Sequence, residues 1–182
     1  YVANDMILGK ENTDGMLIFG TNAVGKSSLI KSIGVAFILA QSGCFVPAST
    51  FTYSPCKKLF TRILGNDNIF KGLSTFAVEM SELNMILRNA DKDTIVLGDE
   101  LCSGTEMGSA ISIFVSGLQY LRNVNAKFMF ATHFHEIVDM KQVKSIETLK
   151  IKHLSVEYDK KQDMLIYNRV LQDGPGNNLY GL

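Results

Sequence analysis

The string Gly20-Thr21-Asn22-Ala23-Val24-Gly25-Lys26-Ser27 constrains this chain more than any other feature. It stands between Met16-Leu17-Ile18-Phe19, an apolar run of the kind a buried strand makes, and Ser27 to Gln41, which reads as a helix apolar on nearly every face and hence deeply buried. Two glycines flanking four residues, then Lys and Ser at a strand-to-helix junction, describe a loop that curls its backbone N–H groups toward phosphates. The N-terminus of the following helix adds partial positive charge. Lys26 is expected as an exposed cation reaching the terminal phosphates of ATP, and the Ser27 hydroxyl as a ligand of Mg²⁺. Ser28, next in the helix, belongs to the same nucleotide-binding set.

A second motif fits the first. Ile95-Val96-Leu97-Gly98-Asp99-Glu100 is an apolar strand that delivers two carboxylates to the sheet edge where the loop also sits. Asp99 is expected to hold Mg²⁺ through water, and Glu100 to orient or deprotonate the attacking water. Thr132-His133 follows the strand Lys127 to Ala131, so this polar pair is placed to sense the terminal phosphate, with His133 joining Glu100 as a catalytic candidate. His133 and His135 are two apart, but no third metal ligand stands at a sensible spacing. His153 reads as structural or exposed.

The rest of the chain supports an α/β fold. Leu59 to Leu64 reads as a strand. Phe76, Met80, Leu83 and Leu87 form one helical stripe, with Ser74 placed to cap it. Met107, Ile111, Phe114, Leu118 and Leu121 form another, after Gly104-Thr105. Strands alternating with helices imply a mostly parallel sheet covered on both faces. Antiparallel strands are expected at each end. Tyr1 to Leu8 reads as a strand closed by the polar turn Gly9 to Gly15. Thr148 to Tyr158 and Met164 to Leu171 flank the turn Asp159 to Asp163 as a hairpin, with a bulge between Ile151 and Leu154.

Eighteen basic residues balance eighteen acidic ones, so no excess positive charge marks a duplex-binding surface. Cys44, Cys56 and Cys102 match no zinc spacing and read as reduced intracellular thiols. The most apolar stretch, Ile33 to Ala40, is too short to span a membrane. The length fits one domain over residues 1–182, and the ends read as cuts in a longer polypeptide.

Several strings together resemble the ATPase domain of the MutS family, the DNA mismatch-recognition proteins. They are Tyr1 to Asp5, Gly43 to Ala48, Phe60 to Ile63, Gly65 to Asp67, Ser74-Thr75-Phe76-Ala77-Val78-Glu79-Met80, Asp99-Glu100, Gly104-Thr105, Phe130 to His133 and Tyr180-Gly181. Three features depart from common members: Thr-Asn-Ala-Val in the loop, Gly98 before the acidic pair, and the run Leu101 to Glu106. In these the chain looks more like the divergent branch of giant viruses and octocoral mitochondria. Asn168-Arg169 stands where many members have a His that packs on the nucleotide.

The resemblance implies a P-loop NTPase fold of the ABC type, whose domains pair into two composite sites as a homodimer or a MutS-like heterodimer. Each site would take its loop from one subunit and Ser74 from the other. Tyr1 falls where the family places an aromatic ring against adenine. Double-stranded DNA would be read by domains upstream of this chain. A recombination or DNA-architecture homologue is an alternative role. A transport or chromosome-organising ABC ATPase is another, and the absence of a Leu-Ser-Gly-Gly string weighs against it.

Overall fold

Successive side chains of β1 (Gly15–Phe19) point to opposite faces of the sheet. Leu17 and Phe19 join one apolar cluster, and Met16 and Ile18 join another. All four are buried, so both faces of β1 need a cover. The computed structural model describes residues 2–63, 75–102, 106–159 and 163–176 and shows what supplies it. Helix α1 (Lys26–Gln41) covers the Met16 face. Helices α2 (Thr75–Asn89) and α3 (Met107–Asn123), with the short α4 (Lys141–Lys144), cover the Leu17 face.

The remaining strands are β2 (Lys58–Arg62), β3 (Thr94–Asp99), β4 (Lys127–Ala131), β5 (Leu149–Asp159) and β6 (Met164–Asp173). They lie in the order β2-β3-β4-β1-β5-β6. β1 to β5 are parallel, and β6 returns antiparallel beside β5. The mostly parallel sheet and the closing hairpin are as expected.

Phenylalanines on β4 are matched to glycines on its neighbours. Phe128 is in register with Gly15 of β1, and Phe130 with Gly98 of β3. A Cβ at Gly15 would lie 2.3 Å from Phe128, and one at Gly98 would lie 2.3 Å from Phe130. Gly98 therefore makes room for the Phe130 ring, which packs edge-on against Phe114 of α3.

Four expectations need correction. Residues 2–8 form no strand. The β6 edge beside them is interrupted: Leu154 pairs with Leu171 but Val156 pairs with Tyr167, and Arg169 has a left-handed φ of 58°. A regular ladder has no continuous edge to grow on. Asn4 instead bridges the interruption, donating from Nδ2 to the Arg169 carbonyl (3.0 Å) and accepting the Leu171 N–H (2.6 Å). The same irregularity relocates the expected bulge, which lies one step later, with the extra residues in β6. Leu154 and Ser155 are both buried, so period-two alternation breaks there.

Third, α1 is not buried on every face. It packs onto β3 and β4 through residues such as Ile30 and Gly34, where a Cβ would sit 3.1 Å from Leu97. Its outer side faces solvent, leaving Val35 53% and Ile38 54% exposed. The last is Met107, expected in the apolar stripe of α3 and found exposed. It lies in the first turn, where Glu106 caps the helix by accepting the Gly108 and Ser109 N–H groups. Ile111, Phe114, Leu118 and Leu121 are buried as expected.

Candidate active site

The order of connections opens a crevice at one place. The crossover from β1 to β2 runs through α1 on one face, whereas those from β2 to β3 and β3 to β4 run through α2 and α3 on the other. Where neighbouring strands send their chains to opposite faces, a cleft is left beyond their carboxyl ends. Here that point lies between β1 and β4. Ile18, Ala131 and Asp99 are in register across β1, β4 and β3. The ladder continues past them, with Thr132 donating its N–H to Ile18 (3.1 Å) and Glu100 donating to Ala131 (3.0 Å). The glycine-rich loop, Thr132-His133 and Asp99-Glu100 thus share one sheet edge.

The loop has the backbone its sequence requires. Gly20 and Gly25 have φ of 148° and 110°, and Ala23 between them is left-handed at 64°. A Cβ on Gly20 would lie 2.8 Å from Val24, whose side chain is buried in the α1-side core and anchors the loop. Asn22, Ala23 and Ser28 are exposed, and Thr21, Gly25 and Ser27 are half-buried. Leu29 donates its N–H to the Gly25 carbonyl (3.0 Å), so α1 is hydrogen-bonded from that glycine onward. The first N–H groups of a helix have no partner within it.

Lys26 is not the exposed cation expected. It is 5% exposed, and its Nζ donates to the carbonyls of Gly20 (2.7 Å) and Thr21 (3.1 Å). The curled loop turns those two carbonyls toward the lysine of its own helix. Burial pulls the ammonium pKa below its usual value, and the nearby Glu100 and Asp99 carboxylates partly restore it. Asp99 is 4% exposed, and its buried Oδ1 has no hydrogen-bond partner among the described residues.

Among the described residues, the turn after β3 is held at two points. Glu100 and Cys102 are left-handed, at φ of 49° and 66°, a conformation that costs a non-glycine residue about 1 kcal/mol or more. Glu100 is tied to β4 by its own N–H. Cys102 donates its N–H to Oε1 of Glu79 on α2 at 2.6 Å. Glu79 is itself buried. Burial and the adjacent Glu79 push the Cys102 thiol up to about 12, so it stays protonated.

Thr132 is buried, and its hydroxyl accepts the Phe134 N–H (3.1 Å), pinning the turn beyond β4. The two histidines separate: the His133 ring lies 4.6 Å from that of Phe134, and the His135 ring lies 4.9 Å from Phe19 at the end of β1. Burial lowers the His135 pKa, and the charges of His133 and Lys26 lower it further against Glu136. His153 is half-buried and hydrogen-bonds the Gly174 carbonyl (3.0 Å), a structural role in the hairpin.

A family model for MutS domain V matches residues 16–182. The chain belongs to the MutS family. It is 46% identical, over 97% of its length, to a MutS homologue of Acanthamoeba polyphaga mimivirus. It is 40% identical, over 92%, to a mitochondrial DNA mismatch repair protein MutS homologue of Sarcophyton glaucum. It is 37% identical, over its full length, to the DNA mismatch repair protein MutS of Clostridium beijerinckii. The likeness to giant-virus and octocoral relatives is thereby borne out. The chain covers 16%, 17% and 20% of the lengths of these three proteins.

Of the residues expected in the site, the structure brings the loop, Asp99-Glu100 and Thr132-His133 of this MutS chain to one sheet edge. Tyr1, Ser74, Gly104-Thr105 and Tyr180-Gly181 lie outside the described residues. Sequence reasoning passed over Glu79, quoted only within a family string. A signal was available, because Glu79 interrupts the apolar stripe between Phe76 and Leu83.

Proposed function

We propose that this MutS chain binds and hydrolyses Mg-ATP, and that hydrolysis switches a longer protein acting in DNA mismatch repair. One observation carries the reading. Among the described residues the buried charged side chains are Lys26, Glu79 and Asp99; Lys26 and Asp99 lie at this sheet edge, whereas Glu79 on α2 holds the turn after β3. A buried charge without a full set of partners is costly, so a chain keeps it where a ligand completes it.

The residues fit the nucleotide and its metal. Loop N–H groups and the start of α1 complement phosphate charge, and Lys26 neutralises the terminal phosphates. Ser27 and Asp99, with its unpartnered Oδ1, would hold Mg²⁺. When bound, the metal offsets negative charge on the phosphoryl oxygens. Glu100 orients the water and accepts its proton, while Thr132 and His133 flank the terminal phosphate. Ser74 from a second subunit and Tyr1 against adenine would complete the site, on the family likeness. Pairing as a homodimer or a heterodimer follows from the same likeness. Duplex contacts are assigned to segments outside this chain, whose net charge is +0. Among the described residues no helix is long and apolar enough to cross a membrane.

Calorimetric titration with Mg-ATP tests the reading. Lys26→Ala in the intact protein should weaken affinity by roughly 100-fold, as expected for losing charge-assisted hydrogen bonds. Its circular dichroism spectrum should be unchanged. Equal affinity in the variant and the wild type would refute the site.

A further inference from the structure

The turn that presents Glu100 is held from outside the nucleotide loop. Its first residue is tied to β4, through Glu100 N–H and the Ala131 carbonyl at 3.0 Å. Two residues on, it is tied to α2, through Cys102 N–H and Glu79 Oε1 at 2.6 Å. Between them Leu101 and Cys102 are 3% and 0% exposed, so the turn has no solvent to fall back on if either tie is lost. Glu100 and Cys102 are both left-handed, and neither is a glycine. A backbone held in that conformation relaxes unless its surroundings over-determine it.

The second tie is an acid at a position where packing favours an apolar residue. Glu79 lies on the buried face of α2, between Phe76 and Leu83 in the stripe, and is 2% exposed. A leucine there would satisfy the core and the helix equally well. What it would lack is an acceptor for the Cys102 N–H. A carboxylate accepting a backbone N–H makes one of the stronger neutral-partner hydrogen bonds, and burial strengthens it further.

We propose that Glu79 is a positioning residue for hydrolysis: by holding the Cys102 N–H from α2, it fixes the turn that aims the Glu100 carboxylate. This rests on the function proposed above and adds a residue to it. Glu79 touches neither nucleotide nor metal. It acts through Glu100, and it makes the geometry of the hydrolytic carboxylate depend on where α2 sits.

The test is single-turnover ATP hydrolysis by the intact protein, in a double-mutant cycle with Glu100→Gln. Glu79→Leu fills the same space without an acceptor. It should slow hydrolysis by about 10- to 100-fold, the range for a misplaced catalytic group, and leave the KM for ATP within about threefold. Glu79→Gln keeps an amide oxygen for the same N–H and should retain the wild-type rate within about threefold. Glu79→Asp keeps the charge but withdraws the acceptor, so it should be slow like the Leu variant and provides the reading if the Leu variant does not fold. In the Glu100→Gln background, Glu79→Leu should cost less than about twofold more, because residues acting through one group are not additive. An equal loss in both backgrounds, or a Gln variant as slow as the Leu variant, would overturn the inference and leave the proposed function standing. If Glu100→Gln alone hydrolysed ATP at the wild-type rate, the proposed function would fail and take this inference with it.

Discussion

Lys26 shows how one residue serves two masters. Its stem is packed and its ammonium caps two loop carbonyls. Its folded-state pKa is nonetheless below the usual value because burial outweighs Glu100 and Asp99. For a lysine with a lowered pKa, the charged form destabilises the fold at every pH below that pKa. The penalty is relieved as pH rises through it toward the unfolded value. The chain carries this cost at neutral pH, as expected of a group retained for a ligand. Asp99 makes the complementary case, with a buried oxygen that none of the described residues satisfies. Asp99→Asn should weaken nucleotide affinity by about 10- to 100-fold in the presence of Mg²⁺, the usual worth of a group that supports a metal. In EDTA the variant and the wild type should bind alike. A fluorescent-nucleotide titration in both buffers measures this, and an equal loss in both would remove Asp99 from the metal site.

At the scale of elements, the pairing of β3 with β4 depends on Gly98 as much as on backbone hydrogen bonds. A methyl group there would meet the Phe130 ring at 2.3 Å. Gly98→Ala should therefore destabilise the protein by about 1–3 kcal/mol, the range for overpacking a core. In a domain of this size that lowers Tm by about 3–10 °C. Adding Phe130→Leu should recover part of the loss, and a thermal melt of the double variant that shows none would mean the ring is not the obstacle. This contact explains why some elements were legible in sequence and others were not. β1, β3 and β4 were visible as apolar runs because they are buried on both faces, and the charged or glycine positions at their ends then marked the site. The Gly98–Phe130 match was invisible because register joins residues far apart in sequence. The outer side of α1 differs from the expectation for a related reason: apolar residues stand on nearly every face of the helix, and composition does not say which side has a partner. Residues 2–8 read as a strand from their apolar ends, Val2-Ala3 and Met6-Ile7-Leu8, but the left-handed Arg169 interrupts the edge they would need. Glu79 stands out as an acid in the apolar stripe of α2, but its partner, the Cys102 N–H, is a backbone group that carries no sequence signal, so its role is not legible.

At the scale of the whole molecule, the sheet order places the site where crossovers diverge between β1 and β4. That arrangement makes a crevice without requiring any further domain. The rest of the proposed machine lies outside the chain, which covers about a fifth or less of the relatives described here. Coupling from nucleotide to DNA needs two states and a physical link between sites. Within this chain, the positioning role proposed for Glu79 makes the turn after β3 depend on α2. All of it depends on Glu100 serving as the hydrolytic carboxylate. The most direct measurement is single-turnover hydrolysis of Mg-ATP by the intact wild-type protein and by Glu100→Gln, with nucleotide affinity measured on the same samples. The variant should bind ATP as the wild type does and hydrolyse it about 10²- to 10⁴-fold more slowly, the contribution of a positioned general base. Equal hydrolysis rates with equal affinity would contradict the account, because the carboxylate at the end of β3 would then have no part in the chemistry.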